Sequence, residues 1–286
     1  MNPSAWTAAA VIGALGIALI ISTFTPGQRA ARANSFARSV GLALPESLRA
    51  AVTERVALRH RGGAIGMVIG IATSAFALSI DPASGASFAA PFVLIGGAFS
   101  GLAVGVALTS ARAAAPLDPD AVKYARTTAV TLTDYVAPLE RTGARIVVAL
   151  AVAVALVAVI AGVALGVVLV ALTLLGVAAL VFFEVAGRRI VDRSQQAASP
   201  VELTWDDAVR ASVLRDIVTA PITLGAYALV VSTSALVDQL LHGNDFANVG
   251  IVLAAVVAAI ALAVAAITSR PQRYFLTRLW PEVKAA

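Results

Sequence analysis

The residues able to do chemistry are few and widely spaced along the chain. Its 286 residues include two histidines, His60 in the basic run RHRGG and His242 in LLHGNDFAN, and no cysteine. His242 with Asp238 and Asp245 has the ligand types of a weak metal site, although such a trio in one turn also forms an ordinary polar loop. Ser100, in GAFSG, would need a neighbouring base to act as a nucleophile, and no long apolar segment contains a histidine. We therefore predict no catalytic, metal or cofactor site, and no enzymatic activity.

The sequence also lacks a nucleotide-binding loop and ionisable residues within its apolar segments, the two features that most often couple energy to transport. The sequence has no G-x-x-x-x-G-K-[ST] loop, whose backbone would hold nucleotide phosphates, so ATP would have to be bound by another chain. Glu184 is the acid closest to a long apolar segment, and Arg188 follows at the spacing of an intrahelical ion pair. Both lysines, Lys123 and Lys284, lie outside the apolar segments. Because ionisable groups inside the membrane mark proton and ion paths, we do not expect a proton pump or a retinal protein.

The composition indicates that lipid is the main solvent of these residues. The chain is 59% hydrophobic with a mean hydropathy of +0.89, and 13% of its residues are charged, whereas soluble domains have about 25%. A membrane-spanning helix needs about 20 apolar residues. Five segments meet this requirement, and a sixth apolar run of 38 residues lies between Arg145 and Glu184. The five are Ala5–Phe24, Gly62–Ile80, Phe88–Ala111, Ile217–Leu236 and Val249–Thr268.

The 38-residue run is too long for one crossing. As a single helix it would be about 57 Å long, against about 30 Å of hydrocarbon, and AGVALG near its midpoint supplies two glycines. Two crossings give seven spans and put all 21 Lys and Arg on one side, which the positive-inside rule assigns to the cytoplasm. One crossing would leave the five arginines of Arg188–Arg215 outside. We predict one domain over residues 1–286, an all-α polytopic membrane bundle of about seven helices in a bacterial plasma membrane, with the N-terminus outside and the C-terminus cytoplasmic.

Polar inner segments precede the three predicted hairpins and carry helix signals. Pro45 begins PESLRAAVTERVALRHR, Asp118–Pro119 begins the second segment, and Thr204 with Asp207 forms a capping-box pattern in TWDDAVRASVLRD. We expect amphipathic cytoplasmic helices that lie along the membrane face, with Trp205, Val209 and Val213 as the apolar stripe of the third. They are either simple connectors or a docking platform over Glu46–Arg61 and Thr204–Asp216. The candidate docking residues are Arg55, Arg59, Trp205, Asp207 and Arg210.

Two glycine ladders occur in the second and third predicted spans. Their residues repeat every four positions, the glycine-zipper spacing that lets two helix backbones approach closely in lipid. Because the two spans form one hairpin, we expect them to pack against each other, with oligomerisation as the alternative use. The ladders are Gly62, Gly66 and Gly70, and Gly97, Gly101 and Gly105.

The basic inner side indicates its partners. Lys and Arg beside a membrane attract anionic headgroups, so we expect anionic lipids at the cytoplasmic face, and no nucleic acid, since no nucleic-acid motif accompanies the charge. TWDDAVRASVLRD and the terminal RPQRYFLTRLWP resemble segments of uncharacterised actinobacterial multi-pass membrane proteins associated with ABC-type ATPases. The resemblance implies a separate ATPase as partner.

Three functional hypotheses follow. The first is the membrane-spanning, permease-like subunit of an ABC-type transporter or exporter, which lacks an ATP site and couples to a separate ATPase through its cytoplasmic helices. The second is a non-catalytic accessory or scaffold subunit of a membrane complex. A central polar cavity would favour the first hypothesis, and a solid bundle with an exposed apolar face would favour the second. A lipid-acting enzyme is the third and weakest reading, because histidine and cysteine are scarce.

Overall fold

The computed structural model describes residues 3–22, 24–80, 90–112, 130–162, 167–193, 195, 199–240 and 273–281. Over these residues the chain forms nine helices with short connections and no strand, which confirms the all-α prediction for this part of the protein. The helices are α1 (Pro3–Ser22), α2 (Pro26–Val40), α3 (Glu46–Ile80), α4 (Ala90–Arg112), α5 (Leu132–Tyr135), α6 (Pro138–Ile160), α7 (Val167–Val191), α8 (Pro200–Leu240) and α9 (Tyr274–Leu279).

Four helices are long and apolar enough to cross a membrane. They include Leu94–Arg112, Pro138–Ile160, Val170–Val191 and Pro200–Thr233, so the chain has the helices of a membrane protein. α1 and the second half of α3 are helical over two further predicted spans but are not among these four. The predicted span Val249–Thr268 lies outside the described residues. The count of seven and the orientation of the termini therefore stay predictions.

The long uncharged run doubles back, as its length predicted. α6 ends at Ile160 and is followed by a turn in which Gly162 has φ +73°, a left-handed conformation that glycine adopts without steric cost. At the other end, Glu184 of α7 accepts from Arg141 at 2.8 Å and from Arg145 at 2.6 Å. Both arginines lie near the start of α6, so α6 and α7 are antiparallel. The expected pairing of Glu184 with Arg188 is wrong, because α6 brings two arginines to this carboxylate.

The inner segments are not separate helices. α3 has 35 residues and α8 has 41, so at 1.5 Å per residue they are about 52 and 61 Å long. Each runs without a break from its predicted inner segment into its predicted span. The structure therefore differs from the expectation of short helices along the membrane face. The second inner segment also differs, because it contains the four-residue α5 and a new helix start at Pro138, while Asp118 and Pro119 lie outside the described residues.

The starts of the two long helices follow different residues in the sequence. Pro45 directly precedes the first residue of α3, as predicted. α8 begins at Pro200, where the Oγ of Ser199 accepts the N–H of Glu202 at 3.2 Å. The capping box expected at Thr204 is wrong, because Thr204 lies inside the first turns of α8 and donates to the carbonyl of Pro200 at 2.8 Å.

α8 is the central helix of the packing. It contacts α4, α5, α6, α7 and α9, while α3 contacts α1, α2 and α4. The inner half of α8 is buried on nearly every side from Leu203 to Ile217, and Trp205 is among the largest fully buried side chains. The polar groups of this half must therefore find partners inside the protein.

Candidate functional site

Three helices meet at the carboxylate of Asp216. Arg59 of α3 donates from Nη2 to Oδ1 at 2.6 Å, and Ser110 of α4 donates from Oγ to Oδ2 at 2.7 Å. The Asp216 side chain is 7% exposed, whereas that of Arg59 is 34% exposed. Both oxygens of the buried carboxylate are thus satisfied, and a charge-assisted bond ties α3 to α8.

A cavity of about 30 Å³ lies beside this ion pair. Its polar lining comes from Arg55, Arg59, Ser110, Ser212 and Asp216. About 10–15 Å³ of such volume accommodates one water, so this cavity has room for water and not for an organic substrate. Burial lowers the pKa of Arg55, and the charge of Asp206 opposes that shift.

Asp207 joins three segments that are distant in the sequence. Its Oδ1 accepts from the hydroxyl of Tyr135 at 2.8 Å and from Nε2 of Gln195 at 2.6 Å. Its Oδ2 accepts from the indole N–H of Trp280 at 2.8 Å. The carboxylate is fully buried, so these donors replace the water it gives up on folding. α5, the connection before α8 and the segment after α9 are thereby fixed to the inner half of α8.

Arg210 closes the end of α7. Its Nε donates to Asp206 at 2.9 Å, and its Nη1 donates to the backbone carbonyls of Ile190 at 3.3 Å and Arg193 at 2.9 Å. The last carbonyls of a helix have no intrahelical donor, and a cation there is also favoured by the helix dipole. Arg210 therefore acts as a C-terminal cap supplied by a neighbouring helix.

Trp205 anchors the connection between α2 and α3. Its indole N–H donates to the carbonyl of Ala43 at 3.0 Å, and its ring lies 6.3 Å from that of Phe36. Together with Asp207 and Arg210 it forms what we call the α8 hub, a set of three buried side chains that hold the inner end of the protein together.

The five candidate docking residues are thus brought together, mostly inside the protein. The three residues of the α8 hub are buried, which leaves them no surface for a partner in this arrangement. Arg55 and Arg59 are half-buried and line the cavity. Docking by these segments stays a prediction, and the structure gives the hub residues a packing role.

Sequence reasoning missed Asp216, although a signal for its burial was available. Asp216 lies seven residues after Val209 and three after Val213, on the helix face predicted to be apolar. An acid on a buried stripe needs an internal partner. The identity of that partner was not readable, because Arg59 is 157 residues away in the sequence.

All six ladder glycines lie at the contact between α3 and α4. A methyl group on Gly66 would overlap the carbonyl oxygen of Gly101, and one on Gly70 or Gly105 would overlap the carbonyl of Gly97 or Gly62. The two backbones therefore touch directly and run antiparallel, which is the packing that the spacing predicted. Backbone-to-backbone contact of this kind depends on every glycine in the two ladders.

The other chemically able residues form no centre where the structure describes them. Within the described ranges, no group of three His, Asp or Glu is close enough to hold a metal ion. His242 and Asp245 lie outside those ranges, and the side chain of Asp238 is not described. Ser100 is buried, and its Oγ has no hydrogen-bond partner among the residues described.

No protein-family model, curated protein or solved structure matches this chain. The resemblance of two short segments to ABC-associated membrane proteins therefore stays a prediction. The functional argument rests on the geometry of the helices and of the α8 hub.

Proposed function

We propose that the protein is a non-catalytic, membrane-embedded accessory or scaffold subunit of a bacterial plasma-membrane complex. The observation that carries this proposal is the continuity of α3 and α8, each of which extends without a break from the inner segment through its apolar half. A partner held by the inner halves would be anchored rigidly to the membrane helices.

The charged groups of the inner region support a holding role. Arg59 pairs with Asp216, and Arg215 donates from Nε to Glu140 of α6 at 3.1 Å. These bonds lock α8 to the helices on two of its sides. The cavity beside Asp216 is of water size, which fits a solid support better than a substrate path.

One exposed surface that a partner could contact is the outward face of α2 and α3. Asn34, Ser47 and Ala50 are exposed there, and Arg49 reaches from α3 to Asn34 of α2 at 3.4 Å. A bulky charge on this face would block docking without entering the core. Ala50 is the best position for such a change, because it is exposed and small.

Co-purification tests the scaffold proposal. The tagged full chain is solubilised from its native membrane, and bound proteins are identified by mass spectrometry for the wild type, Ala50→Arg and Ala161→Arg. Ala161 is exposed in the turn between α6 and α7 and serves as the matched control. We expect defined partners with the wild type and the control and their loss with Ala50→Arg. Recovery of the bare chain in all three samples, at equal expression, would contradict the proposal.

A narrower function is the membrane-spanning subunit of an ABC-type transporter. One observation favours it, namely that the inner half of α3 continues into the half that packs against α4 along bare glycine backbone. An ATPase closing on the inner half of α3 would then move a membrane helix contact. Recovery of an ATPase in the same pull-down, with ATP hydrolysis lost for Ala50→Arg, supports this function, and partners without ATPase activity support the scaffold alone.

A further inference from the structure

A cluster of arginines lies at the boundary of two uncharged stretches of the chain. Residues 1–28 contain no charged side chain, and neither does the stretch 62–80. Arg29 and Arg32 follow the first stretch, and Arg61 precedes the second. Because α1 packs against α3, both boundaries lie side by side, at the level where a membrane protein passes from hydrocarbon to headgroups.

An exposed aromatic ring lies between these arginines. The guanidinium of Arg61 is 4.7 Å from the centroid of the Phe24 ring, and that of Arg29 is 6.0 Å away. Arg32 donates from Nη2 to the hydroxyl of Ser22 at 2.7 Å. The Phe24 side chain is 57% exposed, so an apolar surface and three cations share one small area.

The positive charge of this cluster is only partly balanced. Glu54 is 4.0 Å from Arg29 and 3.9 Å from Arg61, and its side chain is 55% exposed. Nη1 of Arg32 and Nε of Arg61 are shielded from solvent and have no acceptor within the described part of the chain. Buried donors of this kind call for an acceptor from water, an ion or a ligand.

The neighbouring histidine is consistent with a positive potential. Desolvation, together with the charges of Arg32 and Arg59, lowers the pKa of His60 to about 4. His60 therefore stays neutral at physiological pH and adds no charge of its own.

We propose that Arg29, Arg32 and Arg61 bind the phosphate of an anionic phospholipid. Guanidinium groups match phosphate oxygens with paired, charge-assisted bonds, and the Arg29 and Arg61 side chains remain 26% and 23% exposed for such contacts. A lipid is favoured over free phosphate because apolar surface adjoins the cations. Phe24, the end of α1 and the start of the uncharged stretch 62–80 would contact its glycerol and acyl region. The site is independent of any partner subunit.

Native mass spectrometry of the full detergent-solubilised chain tests this site. Phosphatidylglycerol or phosphatidylcholine is titrated into the wild type, into a cluster variant and into a control variant. The cluster variant carries Arg29→Gln, Arg32→Gln and Arg61→Gln. The control carries Arg38→Gln, Arg188→Gln and Arg189→Gln, three exposed arginines from elsewhere on the predicted inner face.

The two variants lose the same charge, so only a specific site separates them. Loss of diffuse electrostatic attraction should weaken phosphatidylglycerol binding about fivefold for each positive charge removed, in either variant. Loss of charged hydrogen bonds weakens the cluster variant about tenfold further, and zwitterionic phosphatidylcholine should bind all three proteins more weakly than phosphatidylglycerol. Equal losses in both variants would overturn the proposal. So would displacement of phosphatidylglycerol by millimolar inorganic phosphate, which would indicate a free-phosphate site.

Glu54→Gln provides a test that misfolding cannot imitate. It removes the acid that lies against two of the three arginines, so binding of phosphatidylglycerol should strengthen about fivefold. Unchanged or weaker binding in a variant that still elutes as a single folded species would count against the site.

Discussion

Asp216 is buried between three helices, and its carboxylate depends on Arg59 and Ser110 for compensation. The two members of the ion pair are not equivalent. Asp216 is almost fully enclosed, whereas a third of the Arg59 side chain reaches the surface. Removing the arginine leaves a charge that is almost fully enclosed, while removing the carboxylate leaves one that is partly solvated. Breaking such a pair costs about 3 kcal/mol when the remaining charge is buried.

Arg59→Gln is therefore expected to destabilise the protein more than Asp216→Asn. We expect a loss of about 3 kcal/mol for the first change and about 1 kcal/mol for the second. The measurement is the thermal unfolding temperature of each purified variant in detergent, with loss of the folded size-exclusion peak as a second readout.

The double variant Arg59→Gln with Asp216→Asn is the control for this pair. Both positions are then neutral and still able to form a hydrogen bond, so most of the stability lost in Arg59→Gln should return. If Asp216→Asn alone were the more damaging change, or if the double variant were additive, the buried-charge account would be wrong.

Part of this residue-level picture could be predicted from the sequence. The stripe formed by Trp205, Val209 and Val213 marked one face of the inner segment as buried, and the structure buries all three. The hydrogen-bond partners of Asp207 could not be predicted, because Tyr135 and Trp280 lie 72 and 73 residues from it in the sequence. An acid on a buried face indicates that hydrogen-bond donors must lie nearby, but it does not indicate which distant segment supplies them.

At the scale of helices, the contact between α3 and α4 consists of backbone against backbone. Gly66, Gly70, Gly101 and Gly105 leave no room for a methyl group. Backbone atoms cannot move aside as a flexible side chain can, so the helices themselves would have to separate. The four-residue spacing made this contact predictable, because it places the glycines on one face of each helix.

Gly101→Ala should destabilise this contact, whereas Gly143→Ala should not. The added methyl at 101 meets the carbonyl of Gly66, and overpacking of this kind costs about 1–3 kcal/mol. Gly143 lies in α6 with nothing within 4 Å of the position of a Cβ, so alanine there should stabilise the helix by up to about 1 kcal/mol. Thermal unfolding of the two variants is expected to shift in opposite directions. An unchanged or raised unfolding temperature for Gly101→Ala would show that the glycine contact is not tight.

The C-terminal helix α9 depends on Asp207 for its position. The indole N–H of Trp280 is a donor only, and Asp207→Asn turns one acceptor of the hub into a second donor. We expect the segment around Arg278 to open, so that trypsin cleaves there and removes residues 279–286, as read by mass spectrometry. Asp192→Asn, at an exposed acid, is the matched control. Equal cleavage of the two variants would contradict this role of Asp207.

The lengths of α3 and α8 could be predicted only in part from the sequence. No proline occurs between Glu46 and Ile80, so nothing in the sequence required a break before the apolar half. The change from charged to uncharged residues at Gly62 suggested a boundary, but it marks a change of environment along one helix and not the end of an element. Pro221 lies inside α8 without ending it, because a proline removes one backbone donor and kinks a helix more often than it terminates a well-packed one.

For the whole molecule, the sorting of charge predicts the topology. All basic residues fall on one side only if the run between Arg145 and Glu184 crosses twice, and the structure folds that run into the antiparallel pair α6 and α7. This sorting and the positive-inside rule predict seven spans with the N-terminus outside. The length of the run made the turn predictable, because one helix of that length would be about twice as long as the hydrocarbon is thick.

Single introduced cysteines test this topology without background, because the chain has none of its own. Ser47 and Arg189 are exposed on the predicted inner side, and Ala161 is exposed in the turn between α6 and α7. Ala161→Cys should react with a membrane-impermeant maleimide on intact cells, whereas Ser47→Cys and Arg189→Cys should react only after permeabilisation. Labelling of Arg189→Cys from outside would mean that the run crosses once, and would move five arginines against the positive-inside rule. Protection of Ala161→Cys together with exposure of Ser47→Cys would instead invert the whole molecule, and the face carried by Ala50 could then no longer meet a cytoplasmic partner.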